Sequence, residues 1–230
     1  MKKVLLTSFG LLSIVFAQAQ EMNVHKIGGT IVNIKLADIE KITFSDGAPD
    51  IDNNVYKTVQ IGTQIWMAEN LKVTKYKNGD PIDATQWSYP TNSSTTKAEY
   101  GLYYKWNVTI DPRGVCPTGW HVPTNAEWTT LDTYLGGETV AGGKLKATGT
   151  TNWKSPNTGA TNESGFNSLP AGYREGSGSY SFFKERAYYW SSTANGVDYG
   201  YFREQDYTIS STINNYYDVR GHMSIRCVKD

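Results

Sequence analysis

A single pair of cysteines, Cys116 and Cys227, constrains the fold of this 230-residue chain more than any other feature. The pair follows an N-terminal segment, residues 1–19, with the three parts of an export signal: two lysines, the apolar run VLLTSFGLLSIVF and the small-x-small motif AQA. Exported proteins with two cysteines most often pair them. The sequence therefore predicts a signal peptide over residues 1–19 and a Cys116–Cys227 disulfide.

The predicted bridge closes a long loop. It encloses 227 − 116 + 1 = 112 residues, and the loop-entropy model gives about 4.7 kcal/mol for a loop of that order. Two alternatives stay open at this point. The cysteines could be buried free thiols, and residues 1–19 could be a buried helix or an uncleaved anchor.

Charge and composition exclude several classes of protein. The formal net charge is zero, and removal of two lysines with the signal leaves a net charge of −2, so the chain lacks the basic surplus that binds nucleic acid. Two cysteines are too few for a zinc knuckle. No later segment is long and apolar enough to cross a bilayer. We expect an exported protein in the periplasm, at the cell surface or outside the cell.

Turn-forming residues divide the mature chain into three parts. Residues 20–46 read as a β extension, because MNVHK and TIVNIKL alternate around a Gly-Gly turn. Residues 47–54 are rich in Asp, Asn and Pro and read as a linker. Residues 55–230 form the main domain, starting with a hairpin around Gly62-Thr63.

One helix stands out in the main domain. Thr124 and Glu127 fit a capping box, and Trp128, Leu131 and Leu135 then recur at helical spacing. A weaker helix is predicted over residues 139–147, although two adjacent glycines disfavour it. Turns and short strands follow, ending in the strand HMSIRCVKD. One or two helices among many short strands predict an α+β fold.

Six ordered blocks resemble a known family, the Fibrobacter succinogenes major paralogous domain. They are WMAENL (66–71), YGLYYKW (100–106), CPTGWHVPTNAEW (116–128), GFNSLPAGYR (165–174), YYWSST (188–193) and IRCVKD (225–230). The resemblance covers about residues 52–230. It implies an exported or surface domain, common in Bacteroidetes and Fibrobacteres, with no established biochemical activity.

A more distant resemblance concerns the fold. HVPTNAEW and the late RCV are similar to segments of formylglycine-generating enzymes, which implies a C-type-lectin-like fold. In that fold the chain termini meet in one sheet, and a cysteine beside the first helix bridges to a late strand. Activity does not carry over with a fold.

The functional residues of these relatives are missing. The oxidase needs two late cysteines, and this chain has only Cys227. Sugar-binding calcium loops need an acidic residue where this chain has Ser155. A calcium loop at Asp46, Asp50 and Asp52 is the alternative to a solvated acidic linker. We therefore predict no metal and no cofactor.

Aromatic residues of the loop-rich half give the best functional lead. Flat rings beside polar side chains suit sugar rings or protein partners. The alternative is that many of these rings fill the core, as we expect for Trp66, Trp106, Trp120, Trp128 and Trp190. The candidate ligand-binding residues are Trp153, Tyr180, Phe182, Phe183, Tyr199 and Tyr201.

No catalytic constellation accompanies these rings. His25, His121 and His222 are scattered along the chain, and we expect Arg174 and Arg226 to tie loops to backbone carbonyls. The sequence predicts a non-catalytic module that binds a glycan or a protein partner. One alternative is a structural subunit that adds a strand of its N-terminal segment to a neighbour. Another is an enzyme acting on surface polymers.

Overall fold

The computed structural model describes residues 21–25, 31–35 and 47–230. The predicted signal peptide lies outside these residues. The chain divides between Ser45 and Asp46 into two compact units, which are described separately below.

The first unit contains one antiparallel strand pair. Strand β1 (Glu21–His25) pairs with strand β2 (Ile31–Lys35), and Asn23 lies opposite Asn33. The alternating pattern therefore predicted this hairpin correctly. Its Gly-Gly turn lies outside the described residues.

The second unit combines short strands with a few helices, which confirms the α+β class. The strands are β3 (Ala48–Pro49), β4 (Val55–Tyr56), β5 (Thr58–Ile61), β6 (Gln64–Met67), β7 (Trp87–Ser88), β8 (Tyr103–Lys105), β9 (Trp120–His121), β10 (Tyr173–Arg174), β11 (Tyr180–Ser181), β12 (Arg186–Ala194), β13 (Tyr199–Asp206), β14 (Thr212–Asp218), β15 (His222–Met223) and β16 (Val228–Lys229). The helices are α1 (Lys97–Tyr100), α2 (Asn125–Tyr134) and α3 (Glu138–Leu145), with 3-10 turns at Pro90–Asn92, Ser94–Thr96 and Trp106–Thr109.

The segment predicted as a linker, residues 47–54, is a folded hairpin of this unit. Strand β3 pairs with β4, and the Asp50 carboxylate accepts hydrogen bonds from the Asn54 amide at 2.9 Å and the Tyr56 hydroxyl at 2.5 Å. Asp52 bonds Thr74 and pairs with Lys75 at 3.1 Å. The acidic residues therefore close a turn. Asp, Asn, Gly and Pro favour tight turns as well as linkers, so the composition of this segment fits both. Asp46 lies outside the described residues.

The hairpin β5–β6 and the last strand of this unit share one sheet. Its strand order is β5-β6-β16-β9, so the last strand lies between that hairpin and the strand before α2. Two further sheets have the orders β11-β10-β15-β8-β7 and β12-β13-β14. The hairpin β5–β6 turns at Gly62-Thr63 as predicted.

The terminal segment differs from the single strand that we predicted. It divides into β15 and β16, which belong to two different sheets. All residues from Met223 to Val228 are buried. The segment runs between the two main core clusters and therefore has no solvent-facing side, so alternation could not describe it.

Helix α2 begins at the predicted capping box. The Thr124 hydroxyl accepts from the Glu127 amide at 3.2 Å, and the Glu127 carboxylate accepts from the Thr124 amide at 2.7 Å. Trp128 and Leu131 are buried as predicted. In α3, a methyl group on Gly142 would lie 2.2 Å from the Ser211 carbonyl oxygen. Gly142, one of the two glycines that disfavour this helix, is thus required because the loop at Ser211 packs directly against it.

The disulfide Cys116–Cys227 is present, with the two Cα atoms 6.0 Å apart. It joins the segment before β9 to the residue before β16. Since β9 and β16 also pair directly, the bridge fastens the α2 region to the end of the chain. None of the helices in the described ranges is long and apolar enough to span a membrane.

Two large clusters form the core. One surrounds Tyr104, Trp106 and Trp190, and the other surrounds Trp66 and Trp128. Four of the five tryptophans expected inside are buried. The fifth, Trp120, is only half-buried at the surface end of β9.

Candidate functional site

The structure separates the six predicted ligand-binding residues, and it places Trp153 in the interior. Its side chain is 1% exposed and its indole Nε1 donates to the Ser168 carbonyl oxygen at 3.0 Å. The ammonium group of Lys146 lies 5.4 Å from the ring centroid. A ring that is enclosed in this way cannot meet a ligand at the surface. The prediction for Trp153 is therefore wrong, because a loop position in the sequence does not show which way a side chain packs.

The residues of the predicted loop cluster pack against the domain. Tyr180 lies 6.4 Å from the Tyr103 ring, and Phe183 lies 5.0 Å from the Tyr100 ring. Both are only partly exposed. Phe182 is 38% exposed, and the Arg186 guanidinium covers its ring at 4.3 Å. Of these three rings only that of Phe182 is exposed, and it is partly covered by Arg186.

Tyr199 and Tyr201 form an open aromatic cluster together with Tyr216. We call these three residues the ribbon face. Tyr199 is 44% exposed and Tyr216 is 49% exposed. The Tyr216 ring lies 5.6 Å from Tyr199 at an interplanar angle of 79°, and 6.3 Å from Tyr201 at 82°. The nearly perpendicular rings form a corner on the outside of β13 and β14.

Strand register explains why the three rings meet. Tyr201 pairs directly with Tyr216 across β13 and β14. Tyr199 lies two residues before Tyr201 and therefore on the same side of the strand. Cross-strand and diagonal neighbours of this kind are within reach of aromatic side chains.

The strands under the ribbon face are held firmly by buried contacts. Arg203 lies further along the same side of β13 and is completely buried, where its Nε donates to Asp132 at 2.9 Å and its Nη1 donates to Asn125 at 2.6 Å. This ion pair docks β13 on α2. On the opposite side, a methyl group on Gly200 would lie 2.1 Å from the Trp106 ring. The tyrosines thus project from a fixed base.

Polar groups border the ribbon face. The backbone N–H of Asn195 donates to the Tyr199 carbonyl oxygen at 2.8 Å, and the Tyr201 hydroxyl donates to Asn195 Oδ1 at 3.5 Å. Asp218 lies opposite Tyr199 in the strand pair and accepts from Arg220 Nε at 2.9 Å. These bonds from Arg220 lower the pKa of Asp218. The border therefore carries an amide and a charged pair at neutral pH.

This arrangement is suited to binding. Open ring faces can cover apolar C–H surface, while the amide, guanidinium and hydroxyl groups at the border can hydrogen-bond a polar ligand. Within residues 47–230 and the two described N-terminal strands, no group of three metal-ligating side chains comes together.

The side chains of two histidines of the second unit, His121 and His222, are held by hydrogen bonds to structural neighbours. His121 Nδ1 is 2.7 Å from Asp230 and its Nε2 is 2.8 Å from Glu127. Burial acts to lower the pKa of His121, but the bonds to the two carboxylates outweigh it and raise the pKa. Burial lowers the pKa of His222 to about 4, so this residue is neutral at physiological pH.

The arginine predictions have two outcomes. Arg226 is completely buried, and it donates to the carbonyl oxygens of Phe166 and Asn167 and to Asn70 Oδ1. It therefore ties loops together as predicted. The prediction for Arg174 is wrong. Its side chain is half-buried and contacts rings instead of carbonyl oxygens, with Nη1 3.3 Å from His222 Nε2 and the guanidinium 5.9 Å from the Tyr180 ring.

Sequence reasoning did not select two exposed tyrosines. Tyr216 follows two exposed asparagines near the end of β14, and Tyr134 is 65% exposed at the end of α2. An aromatic residue between polar neighbours in NNYYD was the available sign for Tyr216. Nothing in the sequence singled out Tyr134, because it belongs to the capped helix and lies next to Leu135, which the helical spacing predicts to be buried.

Comparison with known proteins identifies the family. The model of the Fibrobacter succinogenes major domain matches residues 59–229. Comparison with curated proteins and with solved structures gives no significant match. The matched range contains α2, the disulfide and the ribbon face. The chain therefore belongs to the Fibrobacter succinogenes major domain family.

Proposed function

We propose that this protein is an exported, non-catalytic recognition domain that binds a glycan through the ribbon face. The proposal includes a C-type-lectin-like architecture. It is supported by the sheet that joins the hairpin β5–β6 to the last strand, and by the bridge from the segment before α2 to the residue before that strand. The disulfide also supports export, since such bonds persist in oxidising compartments.

The observation that carries the proposal is the open corner of Tyr199 and Tyr216 on a fixed base. The two large rings are each nearly half exposed and touch one another, so they form a contiguous patch, and contiguous exposed patches are where proteins contact other molecules. The rings are already ordered by their mutual contact and by the strand pairing. Binding therefore loses little side-chain entropy.

A sugar fits this corner better than a purely apolar partner does. One tyrosine ring can cover the C–H face of a pyranose while the perpendicular ring contacts its edge. Asn195 and the Asp218–Arg220 pair can then exchange hydrogen bonds with hydroxyl groups.

The test is a glycan array followed by affinity measurement on variants. We expect the wild-type chain to bind members of the array, and the double variant Tyr199→Ala/Tyr216→Ala to lose about tenfold or more in affinity. Phe182→Ala is the matched control, since it removes an exposed ring of the other aromatic cluster. Equal binding by wild type and double variant would contradict the proposal, as would a silent array combined with capture of a protein from envelope extract.

A structural role is the second candidate, and the hairpin β1–β2 favours it. Isolated two-stranded sheets are marginally stable in water, and no third strand joins this one within the described residues. An edge of this pair could add to a sheet of a neighbouring molecule. Light scattering with and without residues 20–46 tests this role, because loss of an assembly on truncation is expected only if the hairpin mediates it.

A further inference from the structure

A groove with none of the ribbon-face residues in its lining lies between the hairpin β5–β6 and the helices α2 and α3. It has a volume of about 520 Å³, within the range of about 300–1,000 Å³ that is usual for ligand sites. Residues of β5, of the end of α2, of α3 and of the following loop line it. The groove is separate from the ribbon face, and the inference drawn from it does not rest on the function proposed above.

An aromatic ring stands at the groove in a fixed orientation. Tyr134, the last residue of α2, is 65% exposed. Its ring lies directly on the backbone of Gly62, where a methyl group would come within 2.8 Å of Tyr134 Cδ2 and 2.9 Å of Cγ. Gly62 also has a φ of 62°, which favours glycine. The hairpin turn therefore supports one side of the ring and leaves much of it open.

Two apolar side chains in the lining belong to the core, and the loop beside them is fixed. Ile61 and Leu135 line it and are 3% and 5% exposed. Ser164 fixes the loop beside it, because its hydroxyl donates to the Lys144 carbonyl oxygen at 2.7 Å. The next residue, Gly165, lies against Val59 of β5. The lining is therefore built from elements that are fixed to one another.

Charged and amide groups complete the lining. Lys144 Nζ and Glu163 Oε1 are 2.9 Å apart, and their side chains are 33% and 53% exposed. The exposed Gln60 side chain donates from Nε2 to the Gly62 carbonyl oxygen at 3.2 Å. Its Oε1 has no hydrogen-bond partner within the described residues. These groups supply an ammonium donor and oxygen acceptors beside the exposed Tyr134 ring.

We propose that this groove binds a single neutral hexopyranose unit, with its C–H face on the Tyr134 ring and its hydroxyls toward Glu163, Lys144 and Gln60. A hexopyranose matches the lining because it has one apolar face and a rim of hydroxyls that both donate and accept. The paired ammonium and carboxylate leave no net charge to attract an acidic or basic ligand.

The experiment is an NMR titration of the full chain with glucose, galactose, mannose and N-acetylglucosamine, each tested alone. We expect saturable shifts with at least one sugar at the amides of Gln60, Gly62, Glu163 and Ser164. Tyr134→Ala is expected to weaken this binding by about tenfold or more, since it removes the aromatic support. Glu163→Gln keeps the shape of the side chain and is expected to weaken binding by a smaller factor.

The controls separate this groove from the ribbon face. Tyr216→Ala should leave the titration at the groove unchanged, whatever the glycan array shows. Tyr134 is exposed, so its removal should keep the fold, and an unchanged amide spectrum elsewhere verifies this. The proposal is overturned if none of the four sugars gives saturable shifts at the groove, or if Tyr134→Ala binds as well as the wild type.

Discussion

Two regions of the protein in which aromatic rings lie near an arginine differ in their exposure to solvent. In the interior, Arg226 lies 4.2 Å from the Phe166 ring and 5.2 Å from the Tyr189 ring, and all three side chains are buried. On the ribbon face, Tyr199 and Tyr216 remain nearly half exposed beside an exposed Arg220.

The partners of the two arginines explain the difference. Arg226 gives its hydrogen bonds to carbonyl oxygens and an amide of the loops that surround it. Arg220 pairs with the neighbouring Asp218 and binds no distant segment through its side chain in the described part of the chain. The interior arrangement therefore stabilises the fold, whereas the surface arrangement leaves its rings available for contact.

The largest expected effect concerns the covalent link on the interior side. Replacing both Cys116 and Cys227 by Ala should lower the free energy of unfolding by about 4.7 kcal/mol, because the unfolded chain regains the freedom of a long loop. Urea unfolding of the variant and the oxidised wild type measures this. If the free energies of unfolding of the two proteins differ by less than about 1 kcal/mol, the pairing of β9 with β16 would be enough to hold the α2 region to the end of the chain without the disulfide.

Removing the interior arginine should have the next largest effect. Arg226→Leu leaves the Phe166 and Asn167 carbonyl oxygens and Asn70 Oδ1 buried without their donor, so we expect a loss of about 3 kcal/mol in the free energy of unfolding. Arg220→Leu is the matched surface variant and should change stability by less than about 0.5 kcal/mol. Equal losses in the two variants would remove the distinction between the regions.

A smaller effect should appear in the dependence of stability on pH. The pKa of His121 is raised above its ordinary value of 6.5 in the folded state. Protonated His121 therefore stabilises the fold fully below pH 6.5, and this stabilisation is lost as the pH rises through the pKa of the folded state. The pKa of Glu127 is lowered, since the hydrogen bonds from Thr124 and His121 outweigh its burial, so its contribution is lost at acidic pH.

The variant His121→Gln should remove the loss of stability that occurs as the pH rises and His121 is deprotonated. Unfolding measured from mildly acidic to mildly alkaline pH is expected to give a flatter curve for the variant than for the wild type. The change should stay small, because His121, Glu127 and Asp230 are all substantially exposed. A wild-type curve that rises over this range would contradict the assignment.

The smallest effect on stability should come from the ribbon face itself. Tyr216→Ala removes a ring that is 49% exposed, so we expect a change of about 0.5 kcal/mol or less. Trp128→Ala, which empties an interior position, should lower the free energy of unfolding by about 3–5 kcal/mol. A large loss for Tyr216→Ala would show that the ribbon face serves packing instead of contact.

Local patterns predicted local structure well in this chain. The capping box at Thr124 and the hairpin turn at Gly62 depend on a few adjacent residues, and both occur as predicted. The acidic stretch at residues 47–54 was harder, since linkers and tight turns share the same composition. Only the hydrogen bonds of Asp50 distinguish the two.

The candidate sites were predicted less completely. Tyr199 and Tyr201 were selected, but Trp153 is buried and Tyr216 was left out of the set. The groove beside Tyr134 combines residues from β5, α2, α3 and a loop. No spacing along the chain indicates that these residues meet.

The sequence by itself determined the family, the α+β class, the pairing of the only two cysteines and the start of the main helix. Each of these depends on residue type and short-range order. The tertiary structure decided which aromatic rings face water. It also divided residues 222–229 between two sheets and buried every residue from Met223 to Val228. A side chain is buried when segments that are distant in the sequence pack over it. Which segments do so depends on the packing of the whole domain, and neighbouring residues along the chain do not determine it.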